Sequence, residues 1–250
     1  MNVDLTFLIP TLAVVLWIVY RAWRAGRAAE GPADKIPLGR PVEIDPTPDT
    51  PVPFGYKMSW LAVRASTSES VAEVAGIPDL QPANWHTGIL AAYNGSTFLS
   101  PPIAGWVLVV SYHLPDPGER REEWNRLLLP LAAQFRQVCY FGTHRVVSYT
   151  AWARFVDGRL VRALAYLGER GEIFVNEGAP SDEELSLNHQ FSSLPVGPLD
   201  SEDPEADFPP TPEEDDVLDM AAAWTVSPRD LPDLALAPSR GWVSRSWLVA

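Results

Sequence analysis

Cysteine occurs once in this chain, at Cys139, so no disulfide framework can form within it, and the fold must rest on buried apolar surface. Lysine is almost as scarce, with Lys35 and Lys57 alone, and arginine carries the rest of the positive charge. Basic side chains number 19 against 32 acidic ones, a formal charge of -13. No Lys/Arg stripe is present to meet a phosphate backbone, so nucleic acid is not an expected partner.

Sequence signatures of chemistry are missing too. There is no glycine-rich phosphate loop, and Ser100 precedes two prolines rather than standing between the glycines of a nucleophile elbow. No catalytic residue and no cofactor is indicated. Cys139 and His144 are five positions apart, which sets them on opposite faces of an extended strand, and no second ligand pair at metal spacing accompanies them. A small buried thiol and a turn histidine account for that pair more simply than a metal site or a nucleophile and its base.

The chain has a single long apolar run. Leu5 to Tyr20 (LTFLIPTLAVVLWIVY) is uncharged and is followed at once by Arg21, Arg24 and Arg27. Membrane helices need about 17–25 largely apolar residues, a length this run reaches if its flank counts and the arginine stems snorkel. Trp17, Tyr20 and Trp23 sit at the headgroup end. The basic cluster follows the run rather than preceding it, unlike a cleaved export signal. The expected topology is a single-pass anchor meeting the bilayer through residues 5–23, with everything after Arg21 in the cytoplasm; a peripheral or buried amphipathic helix is the alternative.

Behind that anchor (residues 1–27), a Pro-rich stretch over 28–55 reads as a stiff linker. Apolar residues make up 46% of the chain, enough to fill the core of a domain placed at 56–231. An acidic loop at about 192–211 and a tail over 232–250 complete the division. Charge follows the same division. Residues 57–178 hold 11 basic and 11 acidic side chains, whereas 179–250 hold 3 and 15, concentrated in DSEDPEAD (200–207) and EEDD (213–216). That segment reads either as a solvated linker or as a docking tail for a basic partner.

The expected fold class is α+β, with a mostly antiparallel meander sheet packed by a few helices. Lys57–Arg64 alternates as a strand with Met58, Trp60 and Ala62 on one side, and Ser66 with Glu69 reads as the capping box of a following helix that ends at Gly76. Asn94-Gly95 predicts a hairpin within Gly88–Leu99, and Trp106–Val110 (WVLVV) predicts a central strand covered on both faces. Glu119–Arg136 has an apolar face of Trp124, Leu127, Leu128, Leu131 and Phe135, with Pro130 expected to kink or break it. Asp157-Gly158 predicts a second hairpin, between Val146–Val156 and Arg159–Leu167. Its two-residue turn pairs Phe155 with Leu160, Ala151 with Leu164, Tyr149 with Tyr166 and Trp152 with Ala163. That register sets Arg162 opposite Ala153, interrupting the core face. A turn at Gly168–Gly171 leads to a strand over Glu172–Asn176. Ser181 with Glu184 reads as one helix cap and Thr211 with Glu214 as another, the latter opening a helix with Val217, Met220, Ala221 and Trp224 inward.

Phe141-Gly-Thr-His-Arg145 is the candidate binding turn. Gly142 admits close approach, Thr143 and His144 offer neutral hydrogen bonds, and Arg145 offers a fork for a carboxylate or phosphate. Arg154, Arg162, Glu169, Arg170 and Glu172 follow on neighbouring strands, and Trp106 or Trp152 would wall a shared cleft, although structural ion pairs account for the charges equally. The succession KMSWLAVR, SPPIAGWVLVV, YFGTHRVV, WARFVDGRLVRALAYLGERGE and AAAWTVSP resembles a set of uncharacterised bacterial proteins over about residues 56–230. The resemblance implies a compact cytoplasmic domain and carries over no catalytic residue. Two functions follow as expectations: a non-enzymatic, membrane-anchored interaction domain, regulatory or toxin-neutralising, for an unidentified protein partner, or a small-molecule binder or enzyme using His144, Arg145 and Glu169. A purely structural scaffold is the third reading.

Overall fold

A computed structural model describes residues 42–199 and 210–247. These form an α+β fold around one sheet of ten strands in the order β2-β10-β3-β4-β1-β5-β6-β7-β8-β9, every neighbouring pair antiparallel. The strands are β1 (Ser59–Arg64), β2 (Gln81–Asn84), β3 (Thr97–Leu99), β4 (Trp106–Ser111), β5 (Gln137–His144), β6 (Tyr149–Val156), β7 (Arg159–Leu167), β8 (Glu172–Glu177), β9 (Gly197–Pro198) and β10 (Arg240–Ser244). Strands β5 to β8 are the expected meander, and β9 extends it by one short strand. The transmembrane helix expected over Leu5–Tyr20 and the acidic run 200–207 lie outside the described residues. No helix among the described residues is long and apolar enough to cross a membrane.

Both faces of the sheet are covered. Along β1, Met58, Trp60 and Ala62 enter one core while Leu61 and Val63 enter the other, and β4 divides in the same way. All six residues of β4 are buried, which explains its unbroken apolar sequence. The first face is packed by α2 (Trp85–Tyr93) and α5 (Glu214–Trp224), the second by α1 (Ser68–Ala75) and α3 (Arg121–Gln134). A short helix, α4 (Asp182–Ser186), carries the Ser181–Glu184 capping box read from the sequence.

Several expectations are corrected. The Asn94-Gly95 pair ends helix α2 instead of turning a hairpin. Asn84 caps that helix by accepting the Thr87 amide at 2.9 Å, and the Asp49 carboxylate accepts the amides of Trp85 and His86 at 2.6 and 3.0 Å. Asn94 keeps φ at −98°, whereas a type I′ turn needs both central residues positive. Asp49 also bridges Ser239. Pro51, Phe54 and Gly55 are buried, so the described part of the proline-rich stretch is packed on the domain. The cap of α1 is Thr67 rather than Ser66, and that of α5 is Glu213 rather than Thr211, where Asp216 answers its amide at 2.7 Å. Helix α3 runs through Pro130 to Gln134, because Pro130, which has no amide hydrogen to donate, and Arg126 one turn before it both lie on the exposed side, open to water. The carboxyl-terminal stretch supplies β10, inserted between β2 and β3.

The largest correction concerns the β6–β7 hairpin. Asp157 and Gly158 both have positive φ, 47° and 80°, as their turn requires, and Phe155 faces Leu160 as expected. A β-bulge at Val161 then shifts the register by one. Trp152 faces Leu164, Ala151 faces Ala165, Tyr149 faces Leu167, and Arg162 faces Arg154 rather than Ala153. The extra residue leaves Val161 43% exposed and turns Arg162 inward onto the face that carries α4.

Candidate functional site

At the end of the sheet where β1 and β6 start and β5 and β7 finish, the core does not close. A cleft of about 260 Å³ opens there, with Ser59, Tyr140, His144 and Tyr149 on its strand side and Tyr112, Leu114 and Phe174 opposite or beside them. Antiparallel pairing brings the groups together, since Ser59 lies opposite Gly142 and His144 opposite Tyr149.

Gly142 decides what the floor can hold. A Cβ there would lie 2.9 Å from the Tyr140 hydroxyl, 3.0 Å from Ser59 Oγ and 3.0 Å from Tyr149 Cε1. Without it, Tyr140 Oη donates to Ser59 Oγ at 3.3 Å and meets Tyr149 Oη at 3.2 Å. Both spacings exceed the usual 2.7–2.8 Å or so of a hydroxyl–hydroxyl bond, so the chain is loose. Burial, as the main cause, raises the pKa of Tyr140 and of Tyr149 well above the ordinary phenol range. Both phenols therefore stay protonated and act as neutral donors and acceptors. On the facing side, Tyr112 Oη and His144 Nε2 are 3.0 Å apart, and His144 Nδ1 is enclosed with no hydrogen-bond partner among the described residues. An unanswered buried ring nitrogen costs roughly 1–3 kcal/mol.

The acids and Arg120 at the rim all have partners within the protein, although Asp116 keeps its charge, which adds to the upward shift of both phenols. Asp116 Oδ1 accepts the amides of Gly118 and Glu119 at 2.8 and 2.7 Å, Glu119 pairs with Arg170 at 2.6 Å, and Arg120 pairs with Glu123 and donates to the His113 carbonyl.

Of the side chains singled out from sequence, Thr143 and His144 line this cleft, and the Thr143 hydroxyl is spent on the Gly55 carbonyl at 2.7 Å. Arg145 lies 5.2 Å from the Tyr56 ring centre and 3.3 Å from Glu214. Glu169 belongs to the 3-10 turn Gly168–Arg170. On the other face, Arg154 pairs with Glu183 and covers Trp224, and Trp152 is buried against His189 and Phe191. Trp106 lies beneath Arg64. Cys139 is buried, and burial pushes its thiol up to about 12. Among the described residues no group of three His, Cys, Asp or Glu side chains is placed to hold a metal. Sequence reasoning missed Ser59, Tyr112, Tyr140 and Tyr149, because tyrosine in a strand reads as core. Only the β5–β6 register, with a glycine two positions after Tyr140, signals that two phenols can meet.

A second polar cluster lies inside the opposite face. Arg162 and Glu184 are 1% and 0% exposed and pair through Nε at 2.8 Å. Trp152 Nε1, Ser192 Oγ and the Ser181 amide also donate to Glu184, and Asn176 Oδ1 and the Ser192 carbonyl accept from Arg162. Burial, the largest single influence, would raise the Glu184 pKa, but Arg162, the Ser181 amide and the Ser192 hydroxyl together outweigh it and hold the carboxyl below its ordinary value.

Comparison with protein-family models, curated proteins and solved structures finds no match to this chain, so the functional reading rests on geometry and chemistry alone.

Proposed function

We propose that this protein binds a small organic molecule, mostly apolar with a hydrogen-bonding head, in the cleft between Tyr112 and Tyr149. It does so as a cytoplasmic domain that Leu5–Tyr20 holds at the membrane. The observation that carries this reading is the hydroxyl chain Ser59–Tyr140–Tyr149, placed in the wall of an open cleft beside an unanswered histidine nitrogen. Pockets of this kind, apolar with a few converging polar groups, are the ordinary form of a ligand site. Binding is favoured over catalysis because the phenols are held protonated and the one thiol is in the core. The test is a fragment screen against the full chain in detergent, followed by tryptophan fluorescence and thermal shift. Hits that weaken about tenfold or more in Gly142→Ala and Tyr149→Phe support the reading; hits indifferent to both substitutions, or no hits, end it. Fractionation tests the anchor: recovery of full-length protein free of membranes would remove it.

One observation favours the protein-interaction reading as well. Leu185, Leu187 and Val196 are 60%, 38% and 58% exposed in the stretch that leads into the acidic run 200–207. Exposed apolar side chains in a stretch that continues in sequence into concentrated negative charge suit a partner with apolar and basic groups. Crosslinking in detergent extracts should give one stoichiometric adduct that Leu185→Glu with Val196→Glu abolishes.

A further inference from the structure

We propose that the ligand of this cleft is a small organic acid, its carboxylate received by Lys57 at the mouth and its apolar body lying against Leu114, Leu167 and Phe174. The inference rests on the cleft reading above and narrows it to a chemical class.

Five charged groups stand at or beside the cleft, and four are already answered. Asp116 caps two backbone amides, Glu119 holds Arg170, Arg120 holds Glu123, and Glu214, which accepts the Lys57 amide at 3.5 Å, is paired with Arg145. Lys57 is the fifth. It lines the cleft, and its ammonium makes no ion pair or hydrogen bond within the described residues. Its backbone sits at φ 52°, a left-handed conformation that disfavours any side chain and that glycine would adopt freely. This turn, just after the buried Gly55, brings the lysine to the cleft.

The hydroxyls point the same way. Ser59, Tyr140 and Tyr149 bring three protons to two mutual bonds, so one end of the chain always has a proton with no acceptor in that chain. The cleft therefore presents an uncommitted cation and an uncommitted neutral donor, and the head group that answers both is acceptor-only and negative. A carboxylate is that group. The apolar side chains opposite supply the surface for the rest of the molecule. An organic cation over the tyrosine rings is the competing class. It meets Lys57 on entry, while the Asp116 and Glu119 carboxylates are taken up by backbone amides and by Arg170.

The experiment uses the full chain in neutral detergent and three matched probes: an aryl carboxylate, its primary amide, and the corresponding aryl amine. Affinities are read by tryptophan fluorescence at low and at high salt. The expected result is that the acid binds about tenfold or more tightly than the amide, loses affinity with added salt, and falls to the level of the amide in Lys57→Met, while the amide is unaffected by that substitution. Lys57 is exposed, so the variant should fold, and circular dichroism checks that it does. Amide or amine binding as well as the acid, or an acid indifferent to Lys57→Met, overturns the class and leaves the cleft reading standing. Failure of all three probes overturns both.

Discussion

The two polar clusters stand on opposite faces of the same meander and differ in one respect: one is closed and the other is open. Around Arg162 and Glu184 the donors and acceptors answer one another, at distances of 2.6–3.3 Å, in a site sealed from water. At Tyr112 and Tyr149 the hydroxyl contacts are 3.0–3.3 Å, and among the described residues a ring nitrogen is unanswered and Lys57 has no counter-charge. A fully satisfied network has nothing left to offer a ligand, so it acts as a clamp. A partly satisfied one beside solvent retains binding capacity. The chain thus separates stability from recognition across the thickness of a single sheet.

The contrast is sharpest where the clamp is broken. Glu184→Ala leaves the Arg162 guanidinium buried without its anion, and removing one partner of such a pair destabilises by about 3–5 kcal/mol. For a domain of this size that is a fall of roughly 6–20 °C in Tm, measurable by calorimetry. The double substitution Arg162→Met with Glu184→Leu should recover at least half of the loss, because the buried charges leave together. A Glu184→Ala variant within about 2 °C of the parent would show that the cluster is not a clamp.

Next in size is Gly142→Ala, which acts on the open cluster. The added methyl presses on Tyr140, Ser59 and Tyr149 together, at contacts of 2.9–3.0 Å. Overpacking of this kind costs about 1–3 kcal/mol, and it should also separate the two phenols. Urea denaturation measures the first effect, and the ultraviolet absorbance of the tyrosines during alkaline titration the second.

How much of this was legible beforehand divides along the same line. Local signals survived: the alternation of β1, the continuous apolar β4, the Asp157-Gly158 turn and the Ser181–Glu184 box are each decided by a few neighbouring residues. Long-range signals did not. The Asn94-Gly95 pair misled because Asp49, 36 residues before Trp85, caps helix α2. The hairpin register misled because the bulge at Val161 is set by what Arg162 finds on α4, not by the turn. The cleft was half-visible. His144 was singled out, yet its partners are tyrosines brought in by β5–β6 pairing and by the loop after β4, and no local pattern distinguishes a phenol in a core from one at its open end.

The two clusters should also set opposite limits of pH. Glu184 has a folded pKa below its ordinary 4.5, so its contribution is present above that value and is lost as pH falls through the depressed folded value. The phenols of Tyr140 and Tyr149, together with Tyr56 and the Cys139 thiol, have raised folded pKa values, with burial the main cause in each. Their stabilisation is complete below the ordinary values of 9.0 for cysteine and 10.0 for tyrosine, and is lost as pH rises above them. Each such group steepens the decline by about 1.4 kcal/mol per pH unit. Tm measured from pH 3 to 11 should therefore show a plateau with two shoulders. Glu184→Gln should remove part of the acid shoulder and Tyr149→Phe part of the alkaline one, each leaving the other shoulder in place. Loss of both shoulders in either variant would mean that the faces are not independent.

The smallest effect expected is at the rim. Arg170 and Glu119 pair at 2.6 Å, close to the Arg162–Glu184 distance, but their side chains are 60% and 59% exposed against 2% and 0%. Water screens the surface pair, and holding two long side chains in one geometry offsets most of the remaining attraction, so the worth of such a pair is about 0–1 kcal/mol. Arg170→Ala should therefore shift the urea midpoint by no more than about a third of what Glu184→Ala does, though the two bonds look alike by distance. It also bears on the cleft, because it frees the Glu119 carboxylate at the rim. With an organic acid as ligand, the freed charge repels it, and affinity falls about two- to threefold at low salt with no change at high salt. An affinity that rises instead would assign the open cluster to a cationic ligand.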